Sequence, residues 1–227
     1  MGKRSTEIEI LEISKDGKRN KIDELVHEEE IIVKLNGVTH KFYCIPVNLE
    51  EMIFGNLKSR GIDPSSSRLK KLGGNKFEVN FPRELVKTPK DCDSQRKRTK
   101  GEIFSLIEAL NENSFLYQKT GCTHVIGICE DKEIFVEDIS RHCAIDKAIG
   151  LAIRGGIDLS NSFLVTSCRQ TASTIVKAIF CEIPMVVSIA APTDLAIKEA
   201  NKYGITLIGF ASPERFNIYS HDWRIEI

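Results

Sequence analysis

Alternating apolar and polar positions dominate the first hundred residues. Ile8-Glu-Ile-Leu-Glu-Ile13 reads as a strand, and Ile31–Leu35 and Val38–Cys44 read as two more, flanking Asn36-Gly37. Asn-Gly supplies the positive φ angles of a two-residue turn, so this stretch predicts a β-hairpin. Asn48 with Glu51 has capping-box spacing, Asn standing for the usual Ser or Thr, and predicts a helix to about Ser59 that Gly61 ends. Lys76–Phe81 alternates again as a strand. From Pro82 to Lys100 the pattern stops: two prolines, the single Cys92 and the run Arg96-Lys-Arg-Thr-Lys100 read as a long loop between two halves.

Beyond residue 100 the period lengthens. Ile103, Leu106, Ile107 and Leu110 fall at helical spacing, and Val125–Cys129 and Ile134–Val136 flank Glu130-Asp-Lys132 as a hairpin. Ile145, Ala148, Ile149, Ala152 and Ile153 make one apolar helical face. Then come strand Phe163–Thr166, helix Thr171–Phe180, strand Met185–Ile189, helix Thr193–Tyr203 and strand Thr206–Phe210. Repeated strand–helix–strand units imply a parallel or mixed sheet with helices on its faces. The predicted organisation is an α+β region over 1–81, a cysteine-bearing basic loop over 82–100 and an α/β domain over 101–227.

Composition narrows the class. The 227 residues are 41% hydrophobic and 28% charged with zero formal net charge, which excludes a disordered chain. No stretch approaches 18 apolar residues and the first residues do not read as a signal peptide, so no membrane association is expected. Seven scattered cysteines, an odd number, point to a reduced, cytoplasmic setting rather than a disulfide framework. The zero charge hides an asymmetry: residues 1–100 carry 21 basic and 16 acidic side chains, residues 101–227 carry 11 and 16. Excesses of that size do not support nucleic-acid binding.

In sheets of this kind ligands bind beyond the carboxyl ends of the strands. Polar residues cluster where those ends are predicted: Thr120-Gly-Cys-Thr-His124, Glu137–His142 with Asp146 and Lys147, Thr166-Ser-Cys-Arg169, Ala191-Pro-Thr193 and Phe210–Arg215. Asp138 and Ser140 are both placed to cap a helix starting near Arg141. On that helix His142 and Asp146, and Cys143 and Lys147, share a face. Zinc hydrolysis finds no support, because the His-x-Glu and Pro-Cys-x-x-Cys segments of zinc deaminases are missing. Phosphate-binding Walker and G-x-G-x-x-G turns are also missing.

The run Glu137-Asp-Ile-Ser-Arg-His-Cys-Ala-Ile-Asp-Lys147 resembles the FdhD family of formate dehydrogenase accessory proteins. Thr120–His124, Ser167-Cys-Arg169, Ile183-Pro184, Ala191-Pro-Thr193, Gly209-Phe210 and Arg215-Phe-Asn-Ile-Tyr219 match the family's further motifs in order. The resemblance covers 115–227 and, more loosely, 28–81. It implies a three-layer α/β/α cytidine-deaminase-like domain with a smaller α+β N-terminal region, forming a homodimer. It also implies sulfur transfer: a cysteine desulfurase loads a persulfide on a loop cysteine, here Cys92, and the sulfur passes to a molybdenum bis(molybdopterin guanine dinucleotide) cofactor destined for the formate dehydrogenase apoenzyme. Cofactor binding is implied for Phe210, Ala211, Ser212, Pro213, Glu214 and Arg215. The other motif residues implied at the cofactor are Thr120, Gly121, His124, Arg141, His142, Asp146, Lys147, Ser167 and Arg169. Arg215 and backbone N–H groups beside it would suit phosphate oxygens.

Several positions depart from the family pattern. Its sulfur-carrying loop reads Cys-Gly-x-Cys-Gly, whereas here Cys92 stands alone and Gln95 replaces the second cysteine. Loading needs one nucleophilic sulfur only. Arg96, Lys97, Arg98 and Lys100 would favour its thiolate, and Asp91 and Asp93 would oppose it. Three readings compete: a working single-cysteine sulfurtransferase, a non-catalytic cofactor-binding chaperone, and an inert loop. Cys122, Cys143 and Cys168 also replace other family residues. Cys143 and Cys168 fit small buried hydrophobes, with a soft-ligand or relay role as the alternative.

Overall fold

The chain was studied as a computed structural model that describes residues 3–227. β1 (Ser5–Ser14) and β2 (Gly17–Val26) pair antiparallel over their whole length as a two-stranded ribbon. β3 (Glu29–Leu35), β4 (Val38–Cys44), α1 (Leu49–Lys58), β5 (Arg68–Gly73) and β6 (Lys76–Asn80) follow, with sheet order β4-β3-β6-β5. Alternate residues Ile31, Val33 and Leu35 of β3 and Phe77 and Val79 of β6 bury against Met52, Ile53 and Leu57 of α1. The turn between β3 and β4 uses Asn36 (φ 45°) and Gly37 (φ 85°), as an Asn-Gly hairpin requires. The expected capping box at Asn48 is not formed. Asn48 is itself left-handed (φ 53°), which turns its side chain away from any cap bond.

The second half begins with β7 (Arg98–Thr99), α2 (Lys100–Glu112), α3 (Phe115–Thr120), β8 (His124–Cys129) and β9 (Glu133–Asp138). It continues with α4 (Arg141–Arg154), β10 (Phe163–Thr166), α5 (Ala172–Phe180), β11 (Met185–Ser188), α6 (Asp194–Tyr203), β12 (Thr206–Gly209), β13 (Asn217–Ser220) and β14 (Ile225–Glu226). Six of these strands form one sheet in the order β13-β12-β11-β10-β8-β9. β10, β11 and β12 run parallel, while β8 and β13 run antiparallel to their neighbours β10 and β12. α4, α5 and α6 cover one face through Ile145, Ile149, Ile175, Ile179, Ala196 and Ala200. α2 covers the other through Ile103, Leu106, Ile107 and Leu110. The mixed sheet with helices on both faces is the one the alternation predicts, and its three layers are those the family resemblance implies.

Local chemistry sets the helix starts. Thr99 and Glu102 form a reciprocal capping box at α2. Ser140 caps α4 by accepting the Cys143 N–H at 3.4 Å, and Asp138 instead accepts the Ser140 N–H at 2.9 Å. α1 packs on α4 so closely that a methyl at Gly55 would collide with the Asp146 carbonyl, and one at Gly150 with the Glu51 carbonyl. This contact joins the N-terminal sheet to the second half. Residues 82–97 contain no strand and one short 3-10 turn (Arg83–Leu85), yet the segment is pinned at intervals. The Lys87 N–H donates to the Gly61 carbonyl at 2.8 Å, and Arg96 pairs with Glu130 at 2.9 Å. Among the described residues no helix is long and apolar enough to cross a membrane.

Candidate functional site

The topology brings four of the predicted polar segments to one edge of the sheet. Because β8 runs against β10, its start lies near the end of β10 (Ile126 opposite Thr166), and Val125 and Ser167 exchange hydrogen bonds of 2.9 and 3.0 Å. Gln170 bonds the Ala191 carbonyl at 3.1 Å and accepts the Thr193 N–H at 2.9 Å, so the segment after β10 is tied to the one after β11. The Phe210 and Ala211 N–H groups then reach the Ala190 and Ser188 carbonyls at 3.2 and 3.0 Å. A cavity of about 570 Å³ opens at this edge, lined by Gly121, Cys122, His124, Ser167, Tyr117 and Ile189.

Charge at the edge is positive and unpaired. Arg141, Arg169 and Arg215 make no ion pair among the described residues. Burial, then the charges of Arg141 and Arg169, hold the His124 imidazole below its ordinary value. Burial, then Lys177 and Arg141, do the same to His142. His124 lines this cavity with the Arg141 and Arg169 charges close by, which suits an anion, whereas His142 lines a separate cavity with Tyr43 and Ser140.

The Phe210–Arg215 segment is more self-contained than its sequence implied. Phe210 turns with φ 50°, and Ser212 Oγ accepts the N–H groups of Glu214 and Arg215 at 3.3 and 3.2 Å. The Ser212 N–H is spent on the Arg215 carbonyl at 2.8 Å. The backbone donors of residues 210–215 are therefore engaged, by Ala190 and Ser188 or within the turn, and the Arg215 side chain is exposed. Ala211 is buried, while Pro213 and Glu214 are exposed.

Two of the implied cofactor residues are structural. Asp146 is buried and accepts from Asn56 at 2.8 Å, Ser59 at 3.0 Å and Lys177. Lys147 is fully buried and donates to Asp138 Oδ2 at 2.5 Å and to the Ile45 carbonyl at 2.6 Å. Neither side chain reaches the cavity, and the face-sharing pairs with His142 and Cys143 do not form. Glu137 also serves the framework: its carboxylate accepts the Leu116 and Tyr117 N–H groups at the start of α3 and the Thr123 hydroxyl. It thereby fixes both ends of the stretch containing Thr120, whose own hydroxyl bonds the Leu116 carbonyl at 2.7 Å. Cys143 lies in the N-terminal core beside Cys44, and Cys168 is buried 2.9 Å from the Thr166 hydroxyl. Cys122 is exposed.

Cys92 stands at the opposite end of the sheet. Its N–H donates to the Tyr203 carbonyl at 2.8 Å, and a methyl at Gly204 would lie 2.8 Å from the Cys92 carbonyl. It thus adjoins the Thr206 end of β12, whereas Phe210 follows the Gly209 end. Burial pushes the half-buried thiol up, against the Ser94 N–H and the Arg224 charge, which pull it down. The basic run does not supply that charge, contrary to expectation. Arg96 pairs with Glu130, and the buried Arg98 bonds Glu102 and the Asn161 carbonyl over the Phe163 ring. Arg224, which no sequence pattern singled out, takes the place assigned to them. Among the described residues no three His, Cys, Asp or Glu side chains are grouped to hold a metal ion.

A family model for FdhD/NarQ matches residues 70–226, most of the chain. The chain belongs to the FdhD/NarQ family. A protein of Methanothermobacter thermautotrophicus named sulfur carrier protein FdhD is 30% identical over 235 residues, 92% of this chain and 94% of its own length. The protein of that name from Wolinella succinogenes is 40% identical over 153 residues, covering 66% of this chain and 51% of that protein. A crystal structure from Desulfotalea psychrophila, provisionally assigned as a formate dehydrogenase accessory protein, superposes with a TM-score of 0.85. That match has 26% identity and covers 98% of this chain and all of the other. The FdhD/NarQ match spans Cys92, Arg224 and every segment of the polar edge, and leaves the β1–β2 ribbon outside it.

Proposed function

We propose that this FdhD/NarQ protein is a sulfur carrier that serves formate dehydrogenase, with Cys92 as the sulfur-bearing residue and the polar edge as the site of an anionic, guanine-containing molybdopterin cofactor. The observation that carries the reading is the fixed seat of Cys92. A backbone bond to α6 and the Arg224 guanidinium hold a lone thiol in place at a pinned loop. In the loading step the Cys92 thiolate attacks the outer sulfur of the desulfurase persulfide. A new S–S bond forms at Cys92, the donor's S–S bond breaks, and the donor cysteine leaves as thiolate, with no net oxidation. No second cysteine is needed for that exchange. Because Cys92 and the cavity lie at opposite ends of β12, a donor docked at Cys92 leaves the cavity open.

At the other edge, Arg141, Arg169 and Arg215 supply unpaired guanidiniums for phosphate oxygens. His124 and Ser167 line the cavity, and the Arg141 and Arg169 charges act on His124. The client cofactor, its metal and the apoenzyme are substrates of this arrangement rather than resident groups. A homodimer in the cytoplasm is the setting we infer for it.

One observation favours the second reading, a cofactor-binding chaperone without sulfur transfer: burial raises the Cys92 thiol and so opposes the nucleophile. Complementation separates the two. In a strain lacking its own FdhD but dependent on formate dehydrogenase, the wild-type gene restores activity and Cys92→Ala does not. Full restoration by Cys92→Ala selects the chaperone reading.

A further inference from the structure

Among the described residues three basic side chains are buried: Arg98, Lys147 and Arg224. Arg98 has Glu102 and Lys147 has Asp138 as carboxylate partners. Arg224, 1% exposed, has none among the described residues. Its donors go to neutral oxygens: Nε to the Ser94 carbonyl at 2.9 Å, Nη1 to the Gly204 carbonyl at 2.7 Å and to Thr206 Oγ1 at 3.1 Å. Nη2 is the least satisfied, with the Cys92 carbonyl at 3.4 Å and Cys92 Sγ at 3.8 Å. The Trp223 ring covers the guanidinium at 4.2 Å. A buried charge without a counter-ion is costly, and Cys92 is the group within reach that can become an anion.

We propose that Arg224 is the positioning residue of the carrier, its guanidinium being the counter-charge that eases the buried Cys92 thiol toward its thiolate when sulfur is taken up and that pairs with the persulfide anion afterwards. The persulfide half rests on the sulfur-carrier reading; the thiolate half does not. The seat is built from distant parts of the chain. β14 pairs with β7 (Ile225 opposite Arg98), which fixes Arg224 beside the loop whose Ser94 and Cys92 carbonyls it binds. Other groups act on the same sulfur. Asp93 and Glu182 raise it, the Ser94 N–H lowers it, and Arg224 is the cation that lowers it. Burial depresses Arg224 itself, and the Cys92 anion counters this.

The test needs no sulfur donor. Alkylation of the Cys92 peptide by iodoacetamide, followed by mass spectrometry from pH 6 to 10.5, gives the thiol midpoint, with the exposed Cys122 of the same molecule as the internal reference. Arg224→Gln moves the Cys92 midpoint up by at least about 1 pH unit, or beyond pH 10.5 altogether, and leaves Cys122 where it was. Arg224→Lys, which keeps the charge, recovers at least half of that shift. Equal midpoints in wild type and a folded Arg224→Gln overturn the proposal. A second pair leaves Arg224 in place, so that it tests the idea even if Arg224→Gln fails to fold. Cys92→Asp supplies a permanent anion and melts higher at pH 7 than Cys92→Asn; a melting point equal or lower contradicts the counter-charge. Wild-type protein that titrates as expected but takes no sulfur refutes the carrier reading while leaving the thiolate assignment intact. Loaded protein whose persulfide decays at the same rate in Arg224→Gln refutes the persulfide half alone.

Discussion

Lys147→Met separates a structural lysine from a cofactor ligand. The ammonium donates to Asp138 Oδ2 at 2.5 Å and to the Ile45 carbonyl at 2.6 Å, and both charged side chains are fully buried. Hydrogen bonds to a charged group contribute about 1.5 to 3 kcal/mol each. Stripping one partner from a buried pair costs about 3 to 5 kcal/mol, because the remaining carboxylate is buried without its counter-charge. Against a typical stability of about 5 to 15 kcal/mol, that is from about a fifth to the whole of the total. Urea unfolding reads it directly as a lower midpoint at unchanged slope. The exposed Asp194–Lys198 pair is the control, where Lys198→Met costs below about 1 kcal/mol. The deficit also has a pH signature. Without Lys147 the buried Asp138 carboxyl titrates well above its unfolded value, so the folded variant holds a proton that the unfolded chain releases. Relative stability is then regained as the pH falls toward the unfolded pKa, and the gap to wild type narrows from pH 7 to pH 5. A loss under about 1 kcal/mol, or a gap that widens on acidification, refutes the argument.

Three further outcomes follow from the geometry. Gly55→Ala or Gly150→Ala drives a methyl into the facing helix backbone, and each lowers stability by about 1 to 3 kcal/mol or more in a thermal melt. His124 and His142 are both held below their ordinary values, so the folded protein resists protonating them; stability is full above pH 6.5 and declines as the pH drops below it. The paired variant His124→Gln/His142→Gln flattens that decline in urea midpoints taken from pH 7.5 to 5. Arg169→Ala and Arg215→Ala each weaken GDP binding about tenfold by calorimetry, and unchanged affinity in both removes the phosphate assignment from this edge.

Much of the fold could be read from the chain because its signals are local. Asn36-Gly37 specifies its own turn, and the apolar runs around Phe163, Met185 and Thr206 are buried on both faces as central strands should be. β2 escaped notice because it buries little: Ile22 is 62% exposed, and pairing with β1 rather than an apolar face makes it a strand. The polar edge was legible segment by segment, since strand ends announce it. The functions within it were not. Spacing on α4 suggested that Asp146 and Lys147 pair with His142 and Cys143, but α4 is buried along most of its length. Asp146 instead faces α1 and α5, and Lys147 faces Asp138 and Ile45. Arg224 meets Cys92 across 132 positions of sequence, a contact that no window of residues contains. The basic run beside Cys92 was misleading for the same reason, because its arginines turn toward Glu130 and Glu102.

Sulfur carried on Cys92 can be weighed directly. The protein is incubated with a cysteine desulfurase and cysteine, digested without reductant, and each cysteine peptide is measured by mass. One added sulfur is expected on the Cys92 peptide, absent when cysteine is withheld, with none on Cys129, Cys168 or Cys181. An unmodified Cys92 peptide, or sulfur found on Cys122 instead, contradicts Cys92 as the carrier.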